Sequence, residues 1–286
     1  MPPAPKAGVC PLPILPALPA YTDTSFYAES NVPHGKVEEA NYKNYAGEGK
    51  RMHVYLPPDY GANLSATYPV LYLNHGGGDD DTAWTKPGTP RYGGAANSIL
   101  DNLIAAGKAK PMIVAMPNTH ACASATSSVP GKDDDCTKEY LKDIVPYVES
   151  HYRVKSNRED RALAGLSMGG FVTLNSGLPH LDTFSELFVC SSGYFPDQQK
   201  AFEDNFQDLF KNSQATNDLF HVPLYLSAGG VDKFGEPGYE NELARRIPDF
   251  EFHVFQGAGH MLHIEFAERF NALALDFLVG HRRNTA

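Results

Sequence analysis

The sequence predicts an α/β fold, with a mostly parallel central sheet, helices on both faces and an antiparallel hairpin at its N-terminal edge. Two observations carry this expectation. Near-continuous apolar runs, such as Pro69 to Asn74, Met112 to Met116 and Leu187 to Ser191, read as strands buried on both faces. Between them lie stretches with helical periodicity, and a repeated strand-helix alternation implies parallel strands joined by crossover helices.

Taken in order, residues 1 to 30 read as an extended arm, because proline recurs too often for a helix or a central strand. Lys36 to Tyr42 and Arg51 to Leu56 alternate in polarity around the Gly47 to Gly49 turn, which predicts the hairpin. The expected elements that follow are a strand over 69–74, a helix over 95–106, a strand over 112–116, a helix over 136–151 and a strand over 161–164. A helix over 171–178, a strand over 187–191 and a helix over 197–210 come next. The chain closes with strands over 224–228 and 251–255, a helix over 239–247 between them, and a final helix over 262–278. Residues 31–286 form one catalytic domain in this reading, a size that buries a full core without staples.

Composition excludes several partner classes. The formal charge of −10 and pI near 5.5 argue against nucleic acid or an anionic membrane surface. No apolar run approaches the ~18 residues of a membrane span. Among the four cysteines no C-x-x-C spacing occurs, so a zinc knuckle or thioredoxin-type site is not expected. Cys190 reads as a small buried hydrophobe, while Cys122 and Cys136 bracket a polar loop and are placed to pair in an oxidising compartment. The Pro- and Ala-rich N-terminal stretch lacks a basic cluster and an unbroken apolar segment, so it does not read as an intact secretory signal. The runs Asp79 to Asp81 and Asp133 to Asp135 are expected to be solvated loops or first turns of helices, where acids offset the dipole.

The chemistry centres on Gly165-Leu166-Ser167-Met168-Gly169. In a G-x-S-x-G turn between strand and helix, the serine sits on a tight bend that points its hydroxyl into a cleft. Serine is a poor nucleophile at its free pKa and needs a base, and a parallel sheet gathers distant residues at the carboxyl ends of its strands. His260 follows the strand over 251–255 and is the candidate base; Asp232 follows the strand over 224–228 and would hold the imidazole tautomer. His263, three residues on, is the rival base. Its pairing with His260 also hints at metal, but no acid or cysteine pattern completes such a site. The backbone N–H groups of Met168 and Gly77 are candidate oxyanion donors, Gly77 lying in the His75-Gly76-Gly77-Gly78 turn after the strand ending at Asn74.

At these residues the chain resembles the α/β-hydrolase superfamily and, more narrowly, the feruloyl and acetylxylan esterases of carbohydrate esterase family 1. The resemblance rests on Val32-Pro33-His34-Gly35, Val54-Tyr55-Leu56-Pro57-Pro58, Tyr72 to Gly78, the surroundings of Trp84, Asp101-Asn102-Leu103-Ile104, Pro146-Tyr147-Val148-Glu149 and Gly165 to Gly170. It implies a Ser-Asp-His esterase without metal or organic cofactor, acting outside the cell on acyl groups of plant cell-wall polysaccharide or on small esters. Gly76, Trp84 and Met261 become candidate substrate-binding residues. Trp84 is equally placed to anchor the long loop after the strand over 69–74. Members often carry an aromatic residue close after the catalytic histidine. Here Met261, Leu262 and His263 follow His260, which implies a differently shaped acyl pocket. The same triad serves esterase D-like and siderophore esterases and acyltransferases of this fold, and a non-catalytic binding module is the reading from another class. The resemblance leaves the oligomeric state open.

Overall fold

The computed structural model describes residues 27–87, 94–120, 122, 134–192, 196–205, 224–229 and 250–255. Almost all of the expected N-terminal arm, and the expected helices over 239–247 and 262–278, lie outside the described residues. Eight strands form one sheet: β1 (Lys36–Lys43), β2 (Gly49–Leu56), β3 (Val70–Asn74), β4 (Ile113–Pro117), β5 (Arg161–Leu166), β6 (Glu186–Cys190), β7 (Leu224–Gly229) and β8 (Phe250–Phe255). Their spatial order is β1-β2-β4-β3-β5-β6-β7-β8. β2 runs antiparallel to β1 and β4, and every other pairing is parallel, so the hairpin forms the edge that the alternating polarity predicts.

Side chains along the central strands alternate between two cores. Tyr72, Ile113, Ala115 and Leu163 enter one; Leu71, Val114, Met116 and Ala164 enter the other. Burial on both faces is the physical reason why these runs are apolar at every position. Helix α4 (Met168–Gly177) supplies Phe171, Val172 and Leu174 to the first core, whereas α1 (Ala96–Ala105) supplies Leu100 to the second. Each of these helices follows one of two adjacent strands, β5 and β3, yet they lie on opposite faces. The crevice at the carboxyl ends of β3 and β5 is therefore a topological switch point, the usual place for a ligand in an open α/β sheet.

The segment between β4 and β5 is helical from α2 (Asp135–Glu139) through a wider π turn (Tyr140–Ile144) into α3 (Val145–His151). Pro146 explains the wide turn, since proline inside a helix lacks an N–H and crowds the carbonyl one turn back. The turn buries Tyr140, which packs edge-to-face on Tyr72 and Phe184 with centroids 5.9 and 6.1 Å away.

Two expectations about acids and two about cysteines meet the structure at these positions. Asp134 caps α2, accepting from the Thr137 N–H at 2.9 Å, as a first-turn acid should. Asp81 corrects the expectation of a solvated run: it is 1% exposed and ion-paired, because the loop after β3 folds back over β2. Cys122 and Cys136 form a disulfide, which ties the segment after β4 to the start of α2, and Cys190 is buried and takes no part in a disulfide among the described residues.

Candidate active site

The elbow is built from backbone sterics. Ser167 has φ 56° and ψ −117°, a strained conformation for a residue with a side chain, and its own hydroxyl caps nothing. Its N–H donates to Cys190 O at 2.8 Å and its C=O accepts from the Phe171 N–H at 3.0 Å, so the bend is pinned to β6 on one side and to α4 on the other. A Cβ at Gly165 would lie 2.2 Å from the Gly169 carbonyl, and one at Gly169 would lie 2.6 Å from the carbonyl oxygens of Asn74 and His75. Only glycine lets β5, α4 and the end of β3 approach this closely.

Facing the elbow is the loop after β3. The Cβ direction of Gly76 points to within 3.9 Å of Ser167 Cβ, and that of Gly77 to within 3.8 Å of Met168 Cβ. Ser167, Met168, Gly76 and Gly77 are thus brought together.

Several side chains that sequence reasoning missed hold this loop. Asn74, fully buried, donates from Nδ2 to Ala164 O at 3.1 Å and accepts from the Tyr140 hydroxyl at 2.6 Å. Burial pushes the Tyr140 hydroxyl well above its ordinary pKa, so it stays a donor. His75 donates from Nδ1 to Gly76 O at 2.8 Å, and its Nε2 accepts from the Thr119 N–H at 3.2 Å; these partners fix the tautomer. Gly76 O also accepts from the Asp79 N–H at 3.3 Å. Because peptide C=O and N–H point opposite ways, a Gly76 carbonyl held in this manner turns the Gly77 N–H to the other side.

Farther along the loop, Asp81 accepts from Arg51 Nε and Nη2, both at 2.8 Å, and from His53 Nδ1 at 2.6 Å. Burial raises the Asp81 pKa, but the hydrogen bonds and charges of Arg51 and His53 outweigh it and hold the carboxyl below the usual range. No motif marks this triad, although a charge in a loop opposite Arg51 and His53 on a strand is a faint signal. Trp84, in the 3-10 turn Ala83–Thr85, packs against the second core and stands where a Cβ at Gly94 would meet its ring at 2.5 Å. A second hub, Asp101, explains why three sequence motifs go together: it accepts from the Gly35 N–H at 2.8 Å, the Tyr55 hydroxyl at 2.7 Å and His34 Nδ1 at 3.0 Å.

Ser191 follows Cys190, the register partner of Leu166, has φ 45° and is 1% exposed. Its Oγ has no hydrogen-bond partner among the described residues. Asp232, His260 and Met261 lie outside the described residues. The strands that precede Asp232 and His260, β7 and β8, run parallel to β5 and end at the same sheet edge as Ser167.

The profile of the family described as "Putative esterase" matches residues 44–262, most of the chain. The chain belongs to this esterase family. An endo-1,4-beta-xylanase/feruloyl esterase of Xylanibacter ruminicola is 33% identical over 186 residues, covering 62% of this chain and 25% of the relative. The matched stretches span between 14% and 27% of the length of the curated relatives that match first. Among solved structures, a ferulic acid esterase superposes with a TM-score of 0.67 at 24% identity, covering 86% of this chain and 98% of that one. The feruloyl esterase module from Clostridium thermocellum complexed with sinapinate gives 0.66 at 19%, covering 92% and 94%. The chain therefore has the α/β-hydrolase fold, mostly parallel with an antiparallel edge.

Proposed function

We propose that the esterase is a serine carboxylic ester hydrolase that releases hydroxycinnamate or acetate from xylan-type polysaccharide, working outside the cell without a cofactor. The observation that carries the mechanism is the strained elbow at Ser167, with its φ of 56°, set against the Gly76–Gly77 loop. Ser167 Oγ attacks the ester carbonyl and passes its proton to His260, and Asp232 steadies the imidazolium. The tetrahedral oxyanion is received by the N–H groups of Met168 and Gly77, which offset the developing charge without reorganising. Collapse expels the alcohol, protonated by His260, and water then cleaves the acyl-enzyme by the same steps in reverse. The names of the xylanase-linked relative and of the ferulic acid esterase structure support the acyl group and the polymer.

The test is a panel of methyl ferulate, acetylated xylan, a long-chain acyl ester and a glutathione thioester, together with fluorophosphonate labelling. Methyl ferulate or acetylated xylan should be preferred, and the label should map to Ser167. Ser167→Ala should keep its fold and lose on the order of 10⁴ to 10⁶ in rate. His260→Ala should be crippled and His263→Ala mild. Preference for the long-chain ester, or a folded Ser167→Ala with more than about a tenth of the activity, contradicts the proposal.

A further inference from the structure

We propose that a groove on the hairpin side of the sheet binds the glycan chain that carries the ester; this rests on, and deepens, the polysaccharide esterase reading. The groove has a volume of about 840 Å³ and is lined chiefly by Asn41, Lys43, Lys50, Arg51, Asn118 and His120. Its place follows from the register. Gly165 pairs with Asn74, Met52 with Pro117, Asn41 with Arg51, and Tyr42 with Lys50. Tyr72 faces both Leu163 and Ala115, which aligns the levels across β5, β3 and β4. One step past Gly165 the line along the sheet edge therefore runs from the Ser167 turn through His75 and Asn118 to Arg51 and Asn41. At ~4.8 Å per strand, β2 and β1 lie roughly 14 to 19 Å from the elbow along this edge. A polymer esterified at Ser167 can lie along it for a few sugar units.

The lining suits hydroxyl-rich ligands. In a chain with 34 acids and 24 basic residues, the described lining of the groove includes three cations, two primary amides and a histidine, and no carboxylate among the described residues. Two of the cations are held by carboxylates. Asp81 grips Arg51, and Glu48 and Glu139 hold Lys50 at 3.1 and 4.0 Å. Donors already ordered lose little entropy when they bind. Lys43 and Asn41 are exposed on the edge strand; Lys43 forms no ion pair among the described residues, and Asn41 Nδ2 donates to Glu39 at 3.1 Å. The loop that carries Gly76 and Gly77 and the floor of the groove meet at the Asp81–Arg51 pair, so the two sites share a wall.

The test uses the whole protein and a double variant, Asn41→Ala with Lys43→Ala, at exposed edge positions remote from Ser167. Titration with xylohexaose, and with a xylo-oligosaccharide bearing a glucuronic acid branch, reads binding without any ester. The proposal expects saturable binding of at least one of them, weakened about tenfold or more in the variant, as loss of two direct hydrogen bonds would give. Tighter binding of the branched sugar would assign Lys43 to a uronate; equal binding would assign it to hydroxyls. On a feruloylated arabinoxylan oligosaccharide kcat/KM should fall several-fold in the variant, while methyl ferulate turnover stays unchanged. No binding of either sugar, or equal binding by both proteins, overturns the groove. Failure of wild type on methyl ferulate and acetylated xylan would instead strike the esterase reading, with the binding titration still deciding the groove.

Discussion

The turn that carries Ser167 and the loop that carries Gly77 face each other across the switch point, but different forces hold them. The turn is fixed by what is missing: Gly165 and Gly169 have no Cβ, and backbone packs directly on backbone at distances no side chain would permit. The loop is fixed by what is present. Asn74, His75 and Asp81 bond to partners far away in sequence, namely Tyr140, Thr119, Arg51 and His53, and His75 also bonds to the adjacent Gly76 carbonyl. Steric fixing tolerates almost no substitution, because a clash between main chains cannot be relieved by a rotamer change. Polar fixing is shared over several bonds and fails by degrees.

The largest expected effect is at the turn. Gly165→Ala should cost about 3 kcal/mol or more, or prevent folding, because the new methyl meets backbone that cannot move aside. Urea denaturation checks it, and a stable, active variant would show that the elbow has more slack than its 2.2 Å approach implies.

The loop should fail more gently. Asp81→Asn removes a charge that three donor atoms face, and should cost about 1 to 3 kcal/mol. It should lower kcat by about tenfold with little change in KM, since in the proposed mechanism the Gly77 N–H acts mainly on the oxyanion. The depressed Asp81 pKa adds a pH signature. Its share of stability is complete above the ordinary aspartate pKa and is lost as pH falls through the lower folded value. Wild type and variant should therefore converge in stability in strong acid. Unchanged kcat would mean that His75 and Asn74 hold the loop unaided.

The smallest effect serves as a control at the opposite end of the sheet. Glu186 starts β6, away from the elbow, and burial pushes its carboxyl up to about 7. Lys110 lowers it and Asp160 raises it, both by less. A raised carboxyl costs nothing below the unfolded pKa, and destabilises progressively as pH rises from there to about 7. Glu186→Gln should thus gain on the order of 1 to 2 kcal/mol at pH 8 and nearly nothing at pH 4, with kcat unchanged. A rate change would show that the two ends of the sheet are coupled.

How much of this was legible in the sequence follows from the same contrast. The elbow was readable because its cause is local: glycines at fixed offsets around a serine, after an apolar run and before a helix. The strands were readable because burial on both faces leaves runs such as Val70 to Asn74 with few polar residues, and the hairpin because its polarity alternates. The helix over 136–151 was legible in extent but not in form, since the π turn is the response of the chain to Pro146. Asp81 was read as solvated because a charge in an Asp-rich loop has no local sign of burial; only the fold brings Arg51 and His53 to it. Likewise the motifs at His34, Tyr55 and Asp101 were visible separately, and only tertiary structure makes them one hydrogen-bonded hub. The sequence by itself determined the described strands, the helices among them and the turn, because periodicity and glycine spacing act over a few residues. Tertiary structure alone decided what holds the loop opposite Ser167, because hydrogen bonds between residues dozens of positions apart exist only once the sheet order has put β2, β4 and β3 side by side.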